Sequence, residues 1–377
     1  MKRALSGQML RWAWWPCLLL LASCQSPAPC PSWEAWEQFR ATFMSDDGRI
    51  IDRGSQDSRT VSEGQAYAML FALAANDRPS FDRLLQWTEN NLAAGDLTAH
   101  LPAWLWGRAE DGSWGVLDDN AASDADTWMA YALLEAGRLW GEARYSALGQ
   151  LLAERILREE VIELEGLGNV LLPAPRGFQA GEEAWRLNPS YLPMPLLRRL
   201  AQSDARWQPL VTSARAVLIG SAVEGFAPDW TLYSSAKGFA PDPEYGTQGD
   251  YDAIRVYLWA GMTHPDDPAR NDVLAALDGM EAVIRRDGLP PAQVDSGEPV
   301  QGAGPPGFSA ALIPYLIARG AADLADQQAL RLVARPVPEE AYYQQALRLF
   351  GLGWQQGWLR FAPDGRLQPR WDREGCR

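Results

Sequence analysis

The thirteen residues from Ala122 to Leu134, ASDADTWMAYALL, set two carboxylates, Asp124 and Asp126, ahead of a run with no further charge until Glu135. The arrangement recurs twice. Glu63 in TVSEGQAYAML opens a stretch uncharged until Asp77, and Asp252 in GDYDAIRVYLWAGM opens one whose only charge is Arg255. A carboxylate at the mouth of an apolar helix either satisfies backbone N–H groups or faces a cavity, where it can move protons. Spacing alone leaves both readings open. Thr60-x-x-Glu63 and Ser123-x-x-Asp126 fit capping boxes, and Asp252 in a first turn complements the helix dipole. Three acid-headed, otherwise greasy helices in one chain point to one shared site. Arg255 follows Asp252 by three residues and so lies on the same helical face.

The elements that must position these acids follow from periodicity. Apolar runs bounded by Pro, Gly, Asn, Asp or Ser predict about twelve helices, beginning near Trp33, Ser62, Ser80, Asp124, Ala143, Pro189, Ala205, Tyr251, Ala269, Gly307, Ala322 and Glu339. They are of two kinds. Segments 64–76, 127–134 and 256–263 are nearly uncharged all round, whereas 80–94, 143–158 and 269–286 carry charge along one face. A helix apolar on every side is expected inside, and an amphipathic one over it. Alternation of the two kinds predicts concentric layers, and six such pairs make an all-α (α/α)6 barrel. An α-solenoid would need a repeat of fixed period, and none is visible. VIELEGLGNVLL, Val161 to Leu172, alternates around glycines and is expected to form a small β-hairpin outside the helices.

The ends of the chain carry a different kind of signal. Lys2, Arg3 and Arg11 precede the apolar run Trp12 to Ala22, too short to span a bilayer as a helix and ordered like a secretory signal. It ends in Leu21-Ala22-Ser23-Cys24, which resembles a bacterial lipobox with Cys24 as the lipidated first residue of the mature protein. The alternative is an ordinary cleavage site beside an incidental cysteine. The domain organisation expected is a signal over 1–23, a Pro-containing tether over 24–31 and a single folded domain over 32–377. Cys17 falls in the signal, which leaves Cys30 and Cys376, and export makes a disulfide between them reasonable; two unpaired thiols are the alternative. The net charge of −14 becomes −17 once the three basic residues of 1–23 are removed. Such a chain is a poor partner for nucleic acid or an anionic membrane surface, and suits a neutral or cationic ligand. Membrane association is expected only through the lipid.

The acid-headed segments resemble glycoside hydrolase family 8, whose short A-[ST]-D-[AG]-D run is paired with an earlier S-E-G-Q and a later Y-D-A-x-R segment. All three stand here in family order. SWEAWEQFRATF, FALAANDR, LPAWLWG, NPSYLP, GFSAA and LFGLGW are similar to the subgroup of exported endoglucanases that accompany bacterial cellulose synthases. The resemblance covers about Ser32 to Cys376. It implies the (α/α)6 barrel and an inverting endo-β-1,4-glucanase. Glu63 would be the acid, Asp252 the base that activates water, and Asp124 the residue that grips the sugar between them. Inversion implies carboxyl groups roughly 6.5 to 9.5 Å apart, leaving room for the water. A helix N-terminus favours ionised Glu63, so burial and the charge of Asp124 are expected to hold its proton, while Arg255 keeps the base ionised and can touch substrate.

Of 18 tryptophans, Trp12, Trp14 and Trp15 leave with the signal, and Trp87 and Trp140, at helical spacing with leucines, are expected in the core. Trp104 and Trp106 in LPAWLWG, and Trp185 and Tyr191 around Asn188-Pro189-Ser190, fall in loops. There an aromatic face either packs or stacks on a pyranose. The only histidines, His100 and His264, have no carboxylate or cysteine at ligand spacing, so neither a metal site nor a cofactor is expected. The partner implied is a β-1,4-glucan, with cellulose synthase or export subunits as further partners. The alternatives are a glucan-binding component that guides the chain uncut, and a hydrolase of chitosan or xylan. The location implied is the periplasm, tethered to the outer membrane through Cys24, with a soluble periplasmic or secreted enzyme as the alternative.

Overall fold

The computed structural model describes residues 32–55, 57–300 and 302–373. Cys24, Cys30 and Cys376 lie outside them, and with them the expected lipid attachment and disulfide. The helices are α1 (Glu34–Phe43), α2 (Ser62–Ala74), α3 (Arg78–Leu92), α4 (Ser123–Trp140), α5 (Ala143–Glu159), α6 (Met194–Ser203) and α7 (Gln208–Gly220). They continue as α8 (Ala253–Met262), α9 (Arg270–Ala276), α10 (Gly279–Asp287), α11 (Pro306–Ala318), α12 (Ala322–Ala334), α13 (Tyr342–Gln355) and the short α14 (Arg370–Arg373). None is long and apolar enough to cross a membrane.

The two kinds of helix occupy different places. In α2 every residue except Glu63 is buried, and in α8 every residue is. α3, α5 and α12 bury one stripe and wet the other. Each covers an inner neighbour: α3 lies on α2, α5 on α4 and α12 on α11, while α2 meets α4 and α11 meets both α8 and α13. The inner helices converge on Phe350 of α13. Its ring lies 4.9 Å from Tyr67 and 4.7 Å from Phe71 of α2, 5.4 Å from Trp128 of α4 and 4.9 Å from Trp259 of α8. Each fully buried side chain of this size contributes about 1.5–3 kcal/mol, so the aromatic plug anchors four helices at once. Close approach is possible because of Gly351, where a Cβ would sit 1.9 Å from the Ala310 carbonyl oxygen of α11.

Small sheets fill the connections. β1 (Thr60–Val61), β2 (Leu105–Arg108) and β3 (Trp114–Asp118) form one antiparallel sheet, and β4 (Val161–Leu164) pairs with β5 (Gly168–Leu171) as the expected hairpin. β6 (Ala184–Leu187), β7 (Thr231–Ser234) and β8 (Gly238–Pro241) form another, and β9 (Val294–Asp295) pairs with β10 (Glu298–Pro299). Strands of two to five residues are too short for an alternating pattern to emerge from the sequence.

Three expected helix starts move. Pro189–Tyr191 is a 3-10 turn, and α6 starts only after Pro193, which has no N–H to donate. Ala205–Trp207 is likewise a 3-10 turn before α7, and α13 starts at Tyr342 rather than Glu339. The single helix expected over 269–286 divides into α9 and α10, because the Gly279 N–H turns aside to the Gly225 carbonyl at 3.1 Å.

Candidate active site

Glu63, Asp124 and Asp252 sit at or beside the N-termini of α2, α4 and α8, and the folded chain brings the three together on one guanidinium. Arg255 is 2% exposed. Its Nη1 donates to Glu63 Oε2, and to Asp124 Oδ2 at 3.3 Å, while its Nη2 donates to Asp252 Oδ1 at 2.6 Å and to Ser190 Oγ at 3.1 Å. The Tyr67 hydroxyl accepts from Nη1 at 3.3 Å. Asn188 Nδ2 donates to the other oxygen of Asp252 at 3.0 Å, and its Oδ1 accepts from both the N–H and the hydroxyl of Ser190. Asp252 is thus gripped on both oxygens, from its own helix and from the turn that precedes α6.

The capping readings fail for physical reasons. The Thr60 hydroxyl is occupied, donating to the Ile50 carbonyl at 2.6 Å and accepting from Arg49 Nε at 2.7 Å, and α2 starts without a side-chain cap. Nor does α4 have a side-chain cap. Asp126 is coupled instead to Glu160, at the end of α5; both residues are fully buried and each acts on the other's ionisation. Burial leads in pushing both well above the ordinary carboxylate range, so each holds its proton to a higher pH than an exposed carboxyl does.

Burial acts on two of the site carboxyls. Burial raises Glu63 above the ordinary carboxylate value; Arg255 opposes the shift and the charge of Asp252 adds to it. The charge expected to assist was that of Asp124, but Asp124 hydrogen-bonds Glu63 and acts in the lowering direction. Asp124, 3% exposed, is pushed up to about 7 by burial, against Arg255 and with help from Glu63. A carboxyl that keeps its proton and a second carboxylate, on opposite arms of one arginine, can deliver a proton on one side of a substrate and accept one on the other.

Gly64 shows why the residue after Glu63 must be small: a Cβ there would come 2.6 Å from the hydroxyl of Tyr342, on α13. A separate groove, about 570 Å³ between α1, α12 and α13, has Glu339 as its sole lining carboxylate and so lacks paired acids. Among the described residues no group of three or more His, Cys, Asp or Glu side chains could hold a metal ion.

A family model for glycosyl hydrolases family 8 matches residues 8–357. The chain belongs to glycosyl hydrolase family 8. It is 48% identical over 369 residues to an endoglucanase of Salmonella typhi, covering 97% of this chain and 98% of that one. It is 46% identical over 360 residues to an endoglucanase of Escherichia coli K12, covering 95% and 96%. Among solved structures, an endo-1,4-D-glucanase from Vibrio fischeri superposes with a TM-score of 0.83 at 41% identity, over 90% of this chain and all of that one.

Around the family 8 carboxylates the aromatic candidates divide. The Trp104 carbonyl accepts the Ser62 N–H at 3.0 Å, which places it against the start of α2 beside Glu63. The Tyr191 ring lies 5.6 Å from the Arg255 guanidinium carbon. Trp185, half-buried on β6, pairs in register with Tyr233. Trp106 is engaged elsewhere: it stacks on Trp114 at 5.3 Å, meets Trp87 edge-on, and has Arg49 4.3 Å above it. Sequence reasoning missed Trp230, which stacks between Phe178 and Tyr245 and lies 6.3 Å from Tyr191. The signal was available, since APDW has the same Pro-bounded aromatic character as LPAW. It also missed Tyr343, whose ring flanks Arg255 at 5.9 Å and whose hydroxyl donates to the Tyr251 carbonyl. Nothing local marks that tyrosine.

Proposed function

We propose that this chain is an inverting endo-β-1,4-glucanase that cuts internal bonds of cellulose or a related β-glucan. Glu63 is the acid, Asp252 the base and Asp124 the residue that holds the sugar between them. The observation that carries the reading is the single buried guanidinium of Arg255 bonded to all three carboxyls. Glu63 gives its proton to the glycosidic oxygen as the bond to the anomeric carbon breaks. Asp252 takes a proton from the water that attacks from the opposite face, so the product has inverted configuration. The reaction leaves Glu63 ionised and Asp252 protonated, and exchange with solvent restores both. Trp104, Trp185 and Tyr191 serve as faces for neighbouring sugars, joined by Trp230.

The inner and outer helices are read as an (α/α)6 barrel: α2, α4, α6, α8, α11 and α13 form the inner ring. Export, attachment through Cys24, and work beside a cellulose synthase complete the proposal. The deciding experiment is proton NMR of a fresh digest of a soluble β-1,4-glucan. α-anomeric reducing ends should appear first, with β following by mutarotation, and initial β ends would overturn the role of Asp252. Glu63→Gln and Asp252→Asn should each abolish release of reducing ends while preserving glucan binding. Chitosan and xylan assayed in parallel test the polymer.

A further inference from the structure

Asp252 stands at the position preceding α8 and its side chain makes no capping bond. The turn that presents it is held by a residue from a different loop. Asp229, immediately before Trp230 and β7, is 6% exposed. Its Oδ1 accepts the Asp250 N–H at 2.9 Å and the Ala253 N–H at 2.7 Å. Those two amides bracket Tyr251 and Asp252. In return, the Asp229 N–H donates to the Gln248 carbonyl at 2.8 Å, so loop and turn are tied in both directions. On the far side of the turn, Gly249 and Val294 exchange a pair of 2.9 Å backbone bonds.

We propose that Asp229 is a positioning residue for glycoside hydrolysis: one buried carboxyl oxygen, by holding the amides of 250 and 253, fixes where the Asp252 carboxylate lies relative to Arg255 and Asn188. The proposal rests on the reading of Asp252 as the base. The groups that act on Asp229 are the carboxylates of Asp252 and Asp250 on the turn itself; its own charge is felt by Tyr257 on α8 and Tyr343 on α13. Burial, then Asp252, pushes Asp229 up to about 8, against the two N–H bonds that lower it. Towards the amides of 250 and 253 its Oδ1 acts purely as an acceptor, a role that an amide oxygen reproduces.

That equivalence supplies the test. Asp229→Ala should lower kcat on a β-1,4-glucan by about ten-fold or more with little change in KM, since misplacing a reacting group by about 1 Å can cost about 100-fold. Asp229→Asn should restore most of the lost kcat. Circular dichroism at the assay temperature checks that the variants are folded. Asp229→Leu, which keeps buried volume without an acceptor, carries the same expectation if the alanine variant does not fold. The proposal is overturned if the folded alanine or leucine variant keeps kcat within about two-fold of wild type, or if the asparagine variant is as impaired as they are. Asp252→Asn run alongside separates the two readings. If it remains active, the assignment of the base fails; if it is inactive while Asp229→Ala is active, only the positioning role fails.

Discussion

Arg255 carries the site because its planar fork can reach several oxygens at once, which a lysine ammonium on a flexible stem cannot do in fixed geometry. Arg255→Lys should therefore fold yet lower kcat/KM on a soluble glucan by about 100-fold or more, read by steady-state kinetics. Near-wild-type kinetics would show that charge alone suffices. The Asp126–Glu160 pair makes a second prediction at this scale. Both folded pKa values are raised, so the unfolded chain releases these protons from about pH 4 upward while the native state keeps its own. Stability is then lost as pH rises above the unfolded value. Glu160→Gln, which removes one of the two buried ionisable groups, should gain melting temperature relative to wild type as pH rises above about 4. The gain should be on the order of 1–3 kcal/mol at neutral pH. An offset independent of pH would mean that burial does not raise the pKa values of this pair.

Helices here meet where glycine permits, and the contacts at Gly64 and Gly351 differ in what must yield. At Gly64 the obstacle is the Tyr342 hydroxyl, the far end of a side chain; at Gly351 it is the backbone of α11. Side chains can rotate, whereas a packed helix cannot retreat without disturbing its neighbours. Gly351→Ala should accordingly cost more stability than Gly64→Ala, about 3 kcal/mol or more against roughly 1–2 kcal/mol, with thermal unfolding as the measure. Gly64→Ala should still lower activity out of proportion to its stability loss, because the displaced helix end carries Glu63. Equal stability losses would mean that α11 and α13 are less tightly packed than their geometry indicates.

At the scale of the whole molecule, the net charge of −14 acts on any polymer that approaches the cleft. A neutral glucan feels little of it, whereas carboxymethylcellulose, itself an anion, is repelled until salt screens the interaction. KM for carboxymethylcellulose should fall as ionic strength rises from about 0.01 M to about 0.15 M, while KM for a neutral cello-oligosaccharide stays flat. The comparison is made on one enzyme preparation. A parallel salt response for both substrates would place its origin in the protein rather than in the encounter.

Sequence by itself determined the three acid-headed helices and their burial. An uncharged run long enough for several turns can only be stable inside, which leaves an acid at its head either to satisfy backbone N–H groups or to face a site. It likewise determined Arg255 beside Asp252, because a spacing of three residues on a helix is a local relation. Only the tertiary structure decided what each acid touches. Thr60 has the spacing of a cap but spends its hydroxyl on Arg49 and Ile50. Asp126 has the same spacing but is coupled to Glu160, just beyond the end of the neighbouring α5. Asp229 reaches the turn around Asp252, and Arg255 of α8 reaches Glu63 of α2 within the inner layer. The difference is one of range: backbone periodicity is set by neighbours within a turn or two, whereas the partner of a buried charge is chosen by which distant surfaces pack together and exclude water.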